Sequence, residues 1–240
     1  MSLPSNRLQL ALTAALLICV SARASEEQKQ KEYRESGEFK IYSSEKEIGS
    51  EKYAILSSGD TVTSSSTLDF RNPGDSHQKI QLETKLEMNT RFVPRNYLLK
   101  SDVEGKKGEI RGVFSPNQAM FSYVAADGSP RKSGMLVGNE FTVLDTNIFH
   151  HFIFLSRLFN YDSKDKAQRF EVIVPQEQES GFITISQVGK ETLNVRGKKL
   201  ETRHLQVDSG ALQIHLWVDN QHFLDKISVP DRGIEVIRQQ

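Results

Sequence analysis

The stretch Lys79-Ile80-Gln81-Leu82-Glu83-Thr84-Lys85-Leu86-Glu87-Met88 decides the fold class. Ile80, Leu82, Thr84, Leu86 and Met88 fall on one side, and Lys79, Gln81, Glu83, Lys85 and Glu87 on the other. That is an alternation of period two, and a helix, repeating every 3.6 residues, would scatter both sets around its circumference. The segment is therefore read as a strand of a sheet with one dry and one wet face.

The same rhythm continues outward, punctuated by turn signals at Pro73-Gly74, around Gly105 and Gly108, and at Asp127-Gly128-Ser129-Pro130. Segments 97–103, 109–114 and 118–125 read as further strands. Towards the N-terminus, Phe39 and Ile41 alternate with Glu38 and Lys40, and Ile48-Gly49 leads into Tyr53 and Ile55, the pattern of a first hairpin. Beyond Pro175 the alternation returns at 182–188, 193–195, 200–207, 212–218, 223–229 and 234–237. Ser209-Gly210 and Asn220-Gln221 are short enough to join neighbouring strands as hairpins.

One segment breaks the rhythm. Asp145, Thr146 and Asn147 are all favourable N-cap residues, and Ile148, Phe149, Phe152, Ile153, Leu155, Leu158 and Phe159 follow at three- and four-residue steps. With Phe154 filling much of the remaining circumference, a helix at about 146–160 is apolar nearly all round and is expected to be buried on more than one side. About a dozen strands and one helix predict a mainly β fold: a large curved antiparallel sheet, or partly closed barrel, wrapped around one mid-chain helix.

The first 24 residues have the layout of a secretory signal peptide. An apolar block from Leu8 to Val20 follows Arg7, and Ala22-Arg23-Ala24 offers a cleavage site before Ser25. The expected organisation is a signal peptide at 1–24, a flexible Glu-, Gln-, Lys- and Ser-rich tether at 25–36, and a single antiparallel β domain at 37–240. The expected localisation is the periplasm or the secreted pool. The lone cysteine, Cys19, lies inside the leader, and bulky Ile18 before it disfavours acylation. After leader removal no segment is apolar and long enough to span a membrane as a helix.

Charge is balanced, with 31 Lys and Arg against 31 Asp and Glu. The leader removes Arg7 and Arg23 but no acid, leaving a slightly acidic remainder. Mixed signs without a basic face argue against nucleic acid as a partner.

Three constellations bear on chemistry. If Ser209-Gly210 is a two-residue loop, His204 faces His215, which makes them a candidate metal pair, but Lys226 rather than a carboxylate falls beside His215 and no third ligand is found. His150 and His151 point about 100° apart on a helix and lack the four-residue zincin spacing; one is expected to contact a strand carbonyl and the other to reach the surface. Serines cluster at Ser64-Ser65-Ser66, where they read as surface strand residues, and there is no Gly-x-Ser-x-Gly elbow. No cofactor motif is present.

What remains is apolar. With 13 phenylalanines in the chain, Phe149, Phe152, Ile153 and Phe159 on the helix are candidate ligand-binding residues for a lipid or other apolar small molecule in the concavity of the sheet, with Trp217 as a rim contact. The alternative is that the helix fills that space as a plug.

The opening Gly37-Glu38-Phe39-Lys40-Ile41-Tyr42 followed by Ile48-Gly49-Ser50-Glu51, and the close from Leu216-Trp217-Val218-Asp219 through Phe223-Leu224-Asp225-Lys226 to Gly233-Ile234-Glu235-Val236, resemble an uncharacterised family of exported bacterial β-sheet domains of unknown function. The resemblance implies a curved antiparallel sheet comparable to periplasmic lipoprotein-carrier half-barrels. It transfers no catalytic residue.

The reading that follows is a non-enzymatic periplasmic or secreted protein that binds an apolar, lipid-like ligand or an envelope partner in the concavity. A second is a structural or assembly protein of the cell envelope acting through an exposed strand edge. A third is an envelope hydrolase with spatially assembled acids or histidines, a reading that His204, His215 and a carboxylate converging in a cleft would favour.

Overall fold

The computed structural model describes residues 33–72, 74–124, 128–195 and 198–239. The expected leader and the tether as far as residue 32 lie outside them. Fifteen strands form one sheet: β1 (Tyr33–Ser43), β2 (Lys46–Ser58), β3 (Thr61–Asn72), β4 (Asp75–Asn89), β5 (Pro94–Val103), β6 (Lys106–Ser115), β7 (Gln118–Val124), β8 (Pro130–Leu136), β9 (Thr142–Val143), β10 (Ala167–Val174), β11 (Glu179–Val195), β12 (Lys198–Asp208), β13 (Gln213–Asp219), β14 (Leu224–Val229) and β15 (Ile234–Gln239). One helix, α1 (His151–Leu158), lies between β9 and β10.

Strand order is β8-β7-β6-β5-β4-β3-β2-β1-β15-β14-β13-β12-β11-β10-β9. Hairpin neighbours pair throughout, and the two arms meet where β1 pairs β15, Phe39 opposite Arg238 and Ile41 opposite Val236. The sheet is not closed: β8 and β9 are its edges. It is also not purely antiparallel, because β9 returns to pair with β10 in parallel.

The decisive stretch behaves as its alternation dictates. Leu82, Leu86 and Met88 are buried, and Thr84, on the same face, bonds Ser66 across the strands at 2.9 Å. Ser64 and Ser66 are buried too, so the serine run is a surface feature only at Ser65. β1 begins at Tyr33, not at Gly37, because Tyr33 and Glu35 have partners on the helix that no local pattern announces.

Elements from both arms reach the helix. Tyr53 on β2 stacks on His150 and Tyr97 on β5 meets His151 edge-on, while Arg203 on β12 lies over the ring of Tyr161 just past the helix. Ile153, Phe154 and Leu155 are fully buried, in one continuous core with Leu86, Phe121, Ile173, Leu216 and Ile227. The helix thus fills the space the sheet bends around.

The helix is shorter than its apolar pattern suggests. Asn147 takes a left-handed φ of 62°, and the helix starts only at His151. Eight residues are too few for a stable isolated helix in water, so tertiary contacts hold it.

Candidate functional site

Two polar constellations stand out against this apolar background, one beneath the sheet at α1 and one on the face turned away from the core.

The first is built on Glu51, which shares the inner face of β2 with Tyr53 and Ile55 and is fully buried. Its Oε2 accepts the backbone N–H groups of Phe149 at 2.9 Å and His150 at 3.1 Å, and its Oε1 lies 2.6 Å from His150 Nδ1. A carboxylate from a distant strand therefore does what Asp145, Thr146 or Asn147 was expected to do, satisfying the free N–H groups and the dipole at the helix start.

Asp145 serves elsewhere. It accepts from Tyr97 Oη at 2.6 Å and from the backbone of Thr146 and Gln176, each at 3.0 Å. Burial raises its pKa, and burial followed by the Asp145 charge raises that of Tyr97 well above the ordinary range. His151 Nδ1 accepts the Asp145 backbone N–H at 3.2 Å, which fixes the ring as the neutral tautomer protonated at Nε2. Burial, with the neighbouring His150 second, holds its pKa well below 6.5. Both histidines are buried, contrary to the expectation that one reaches the surface.

The other end of α1 is tied as well. Arg157 donates to Glu35 Oε2 and to Tyr33 Oη, while Glu35 Oε1 accepts from Tyr53 Oη at 3.1 Å and lies 3.5 Å from Arg238. Glu35 is buried, so these partners offset the cost of desolvating its charge. The first constellation is an anchor at each end of the helix.

The glycines of the opening motif explain its spacing. A Cβ on Gly49 would lie 2.3 Å from the Asp69 carbonyl oxygen, and one on Gly37 would lie 2.7 Å from Tyr53 Oη. Gly49 lets β3 approach two residues before Glu51 turns inward, and Gly37 leaves room for the tyrosine that bonds Glu35.

The second constellation contains the histidine pair anticipated from sequence, in a different register. The β12–β13 connection is wider than two residues: Ser209 N–H bonds Leu212 O at 3.1 Å. Hence His204 faces Trp217 and His215 faces Gln206. The shift is by two, which preserves the face, and the histidines meet diagonally with His204 Nε2 and His215 Nδ1 2.8 Å apart. Lys226 pairs with Trp217, not His215.

A carboxylate does join them. Glu191 Oε1 lies 2.6 Å from His204 Nδ1, and Glu191 Oε2 accepts from Trp217 Nε1 at 2.9 Å. Glu191 reaches this face through a β-bulge: Gln187 pairs with Leu205 but Gly189 pairs with His204, so Val188 is the extra residue and the alternation of β11 reverses after it. The isolated glycine at 189 was the sequence signal of that bulge.

Sequence reasoning brought His204 and His215 together but missed Glu191 and Glu51. Phe149, Phe152, Ile153 and Phe159 are all buried among core residues. Trp217 is not a rim contact of the concavity: its neighbours Leu216 and Val218 point into the core, and it stacks on His204 at 4.7 Å on the opposite face. Among the described residues no group of three or more His, Cys, Asp or Glu is placed to hold a metal ion. No helix among them is long and apolar enough to cross a membrane.

Two clefts indent the surface. One of about 660 Å³ on the outer face is lined by charges of both signs, including Lys52, Asp69, Glu83 and Lys100, and one of about 370 Å³ beside the end of α1 is lined by Arg157, Tyr161, Arg203 and His222. Neither contains His204, His215 or Glu191, so these three residues converge outside both clefts.

No protein-family model matches this chain. No curated protein matches it either. Among solved structures it is similar to a β-barrel-like protein of domain of unknown function DUF1849 from Brucella abortus, at 7% identity and a TM-score of 0.54, covering 87% of this chain and 95% of that one. It is also similar to a DUF1089 family protein from Pseudomonas aeruginosa, at 12% identity and a TM-score of 0.46, covering 76% and 90%. At these identities the likeness to the first shows the fold alone, a β-barrel-like domain, and the second carries no argument. The first neighbour agrees with the expected likeness to uncharacterised β-sheet domains.

Proposed function

We propose that this is a non-enzymatic binding protein of the periplasm or secreted pool that engages an envelope protein through the β6–β8 end of its sheet. The observation that carries the reading is the open edge at β8 beside exposed apolar side chains: Leu136 is 84% exposed, Val113 59% and Met120 40%. Val113, Met120 and Gly134 lie in one cross-strand row. Pro130, Arg131 and Lys132 discourage pairing along the first half of β8, as edges usually do, whereas 133–136 carry no such guard. A partner strand laid against that half would gain main-chain hydrogen bonds and cover the apolar row.

The apolar-ligand reading is less well supported. Phe149, Phe152, Ile153 and Phe159 pack into the core, and a lipid in their place would require α1 to leave both anchors.

The test is a photo-cross-linkable side chain at position 136 in cells. A single dominant protein adduct, lost on Met120→Lys with the fold intact by circular dichroism, supports the reading. Absence of an adduct, a self-adduct, or purified protein carrying lipid by native mass spectrometry overturns it.

A further inference from the structure

The Glu191–His204–His215 cluster has no part in that partner surface, and its two imidazoles meet nitrogen to nitrogen with a carboxylate behind one of them. Ionised Glu191 offers acceptors only. His204 must therefore place its proton on Nδ1, towards Glu191 Oε1 at 2.6 Å. In the tautomer with its one proton on Nδ1, His204 presents a lone pair at Nε2, and the hydrogen bond across the 2.8 Å between the rings is then donated by His215 Nδ1.

A metal ion can take that proton's place. Imidazole nitrogens bind such ions at about 2.0–2.1 Å, which sets two neighbouring ligands about 3.0–3.4 Å apart, so with His204 in place the half-buried His215 ring must swing about 2 Å sideways off the hydrogen-bond axis. His204 is already oriented: it is stacked on Trp217 with an interplanar angle of 11° and held from behind by a carboxylate. A carboxylate behind a histidine is the usual outer support of a metal ligand.

We propose that His204 Nε2 and His215 Nδ1 form a two-histidine chelate for a divalent transition cation of the imidazole-preferring class, copper(II) foremost, with Glu191 as the positioning carboxylate. On binding, His215 moves its ring proton from Nδ1 to Nε2 through solvent. His204 keeps its proton on Nδ1 and donates it to Glu191 Oε1, both rings stay neutral, and the cation exchanges two waters for two nitrogens without change of oxidation state. The remaining positions are held by water, since no third protein ligand is present among the described residues. Zinc and nickel bind the same nitrogens more weakly than copper(II).

The chain's one tryptophan supplies the readout, because copper(II) quenches an indole only at close range. Untagged full-length protein is titrated with copper(II) at pH 7.5 while Trp217 emission is followed. The expected result is saturable one-to-one quenching, competed by zinc. His215→Asn abolishes the saturable phase, and Glu191→Gln weakens binding about tenfold or more. Quenching that is linear, or unchanged in His215→Asn, overturns the proposal, as does stoichiometric binding that leaves Trp217 bright. Should His215→Asn fail to fold, ring nitrogen NMR of the wild type decides: zinc-induced shifts confined to other histidines overturn the proposal, and shifts at His204 Nε2 and His215 Nδ1 support it.

Discussion

Glu51 Oε1 lies 2.6 Å from His150 Nδ1 although 99 residues separate them in the chain. With Oε2 on the N–H groups of Phe149 and His150, one side chain of β2 fixes where α1 begins. Removing it would leave two buried N–H donors and a buried imidazole without their acceptor. Glu51→Ala is expected to lower unfolding stability by about 3–5 kcal/mol, and Glu51→Gln, which keeps an acceptor, by about 1–3 kcal/mol. Urea unfolding followed by Trp217 fluorescence measures both, and equal losses would show that the charge, not the acceptor, matters.

Gly49→Ala is the backbone counterpart. Its Cβ would meet the Asp69 carbonyl oxygen at 2.3 Å and the Phe70 Cβ at 2.4 Å, neither of which is the end of a flexible side chain. The expected cost is about 3 kcal/mol, from forcing β2 and β3 apart. A thermal midpoint unchanged from wild type would show that the strands separate freely.

Much of this was legible in the sequence, and the exceptions have identifiable physical causes. Alternation located most of the strands but not β8, β9 and β10, which lie between residues 125 and 175 around the helix, and the helix announced itself through Phe152, Ile153, Leu155 and Phe159. His204 and His215 were placed on one face despite the wrong register, because a slip of two residues does not change faces. Glu191 was hidden because the bulge at Val188 reverses parity. Glu51 was in plain view: it falls on the same parity as Tyr53 and Ile55, and an acid on the dry side of a strand signals a buried partner. Its targets, two backbone N–H groups and the His150 ring nearly a hundred residues away, are paired with it by no local pattern in the sequence. Asp145 and Asn147 resemble caps but are committed to Tyr97 and to a left-handed turn.

His151 makes stability acid-sensitive. Its folded pKa is well below 6.5, so as pH falls past 6.5 the unfolded chain takes up a proton that the folded chain refuses. Stability is expected to decline below that pH, by up to about 1.4 kcal/mol per pH unit from this group alone. Urea midpoints between pH 7.5 and 5 measure the slope, which should flatten in His151→Phe.

Asp225 works in the opposite sense. Burial, then the charge of Asp219, pushes its pKa up to about 6 against the pull of Arg238, and its Oδ2 has no hydrogen-bond partner among the described residues. A raised folded pKa means the charged carboxylate opposes folding above pH 6 and ceases to do so below about pH 4, where both states are protonated. Asp225→Asn should therefore be more stable than wild type at pH 8 and indistinguishable from it near pH 4. A variant less stable at pH 8 would show that the Arg238 attraction outweighs burial.

The pairing of β1 with β15 makes the first and last described strands the central seam of the sheet. Each arm is a run of hairpins able to form as it emerges from the ribosome, but the arms cannot join until Ile234–Gln239 is available. Until then β1 and β14 are naked edges, and the groove meant for α1 has only half its wall. Folding of this chain should therefore finish late and all at once, with contacts across nearly its whole length forming in the final step. Loss of a handful of residues at that seam would harm the molecule more than loss of a whole hairpin at either edge.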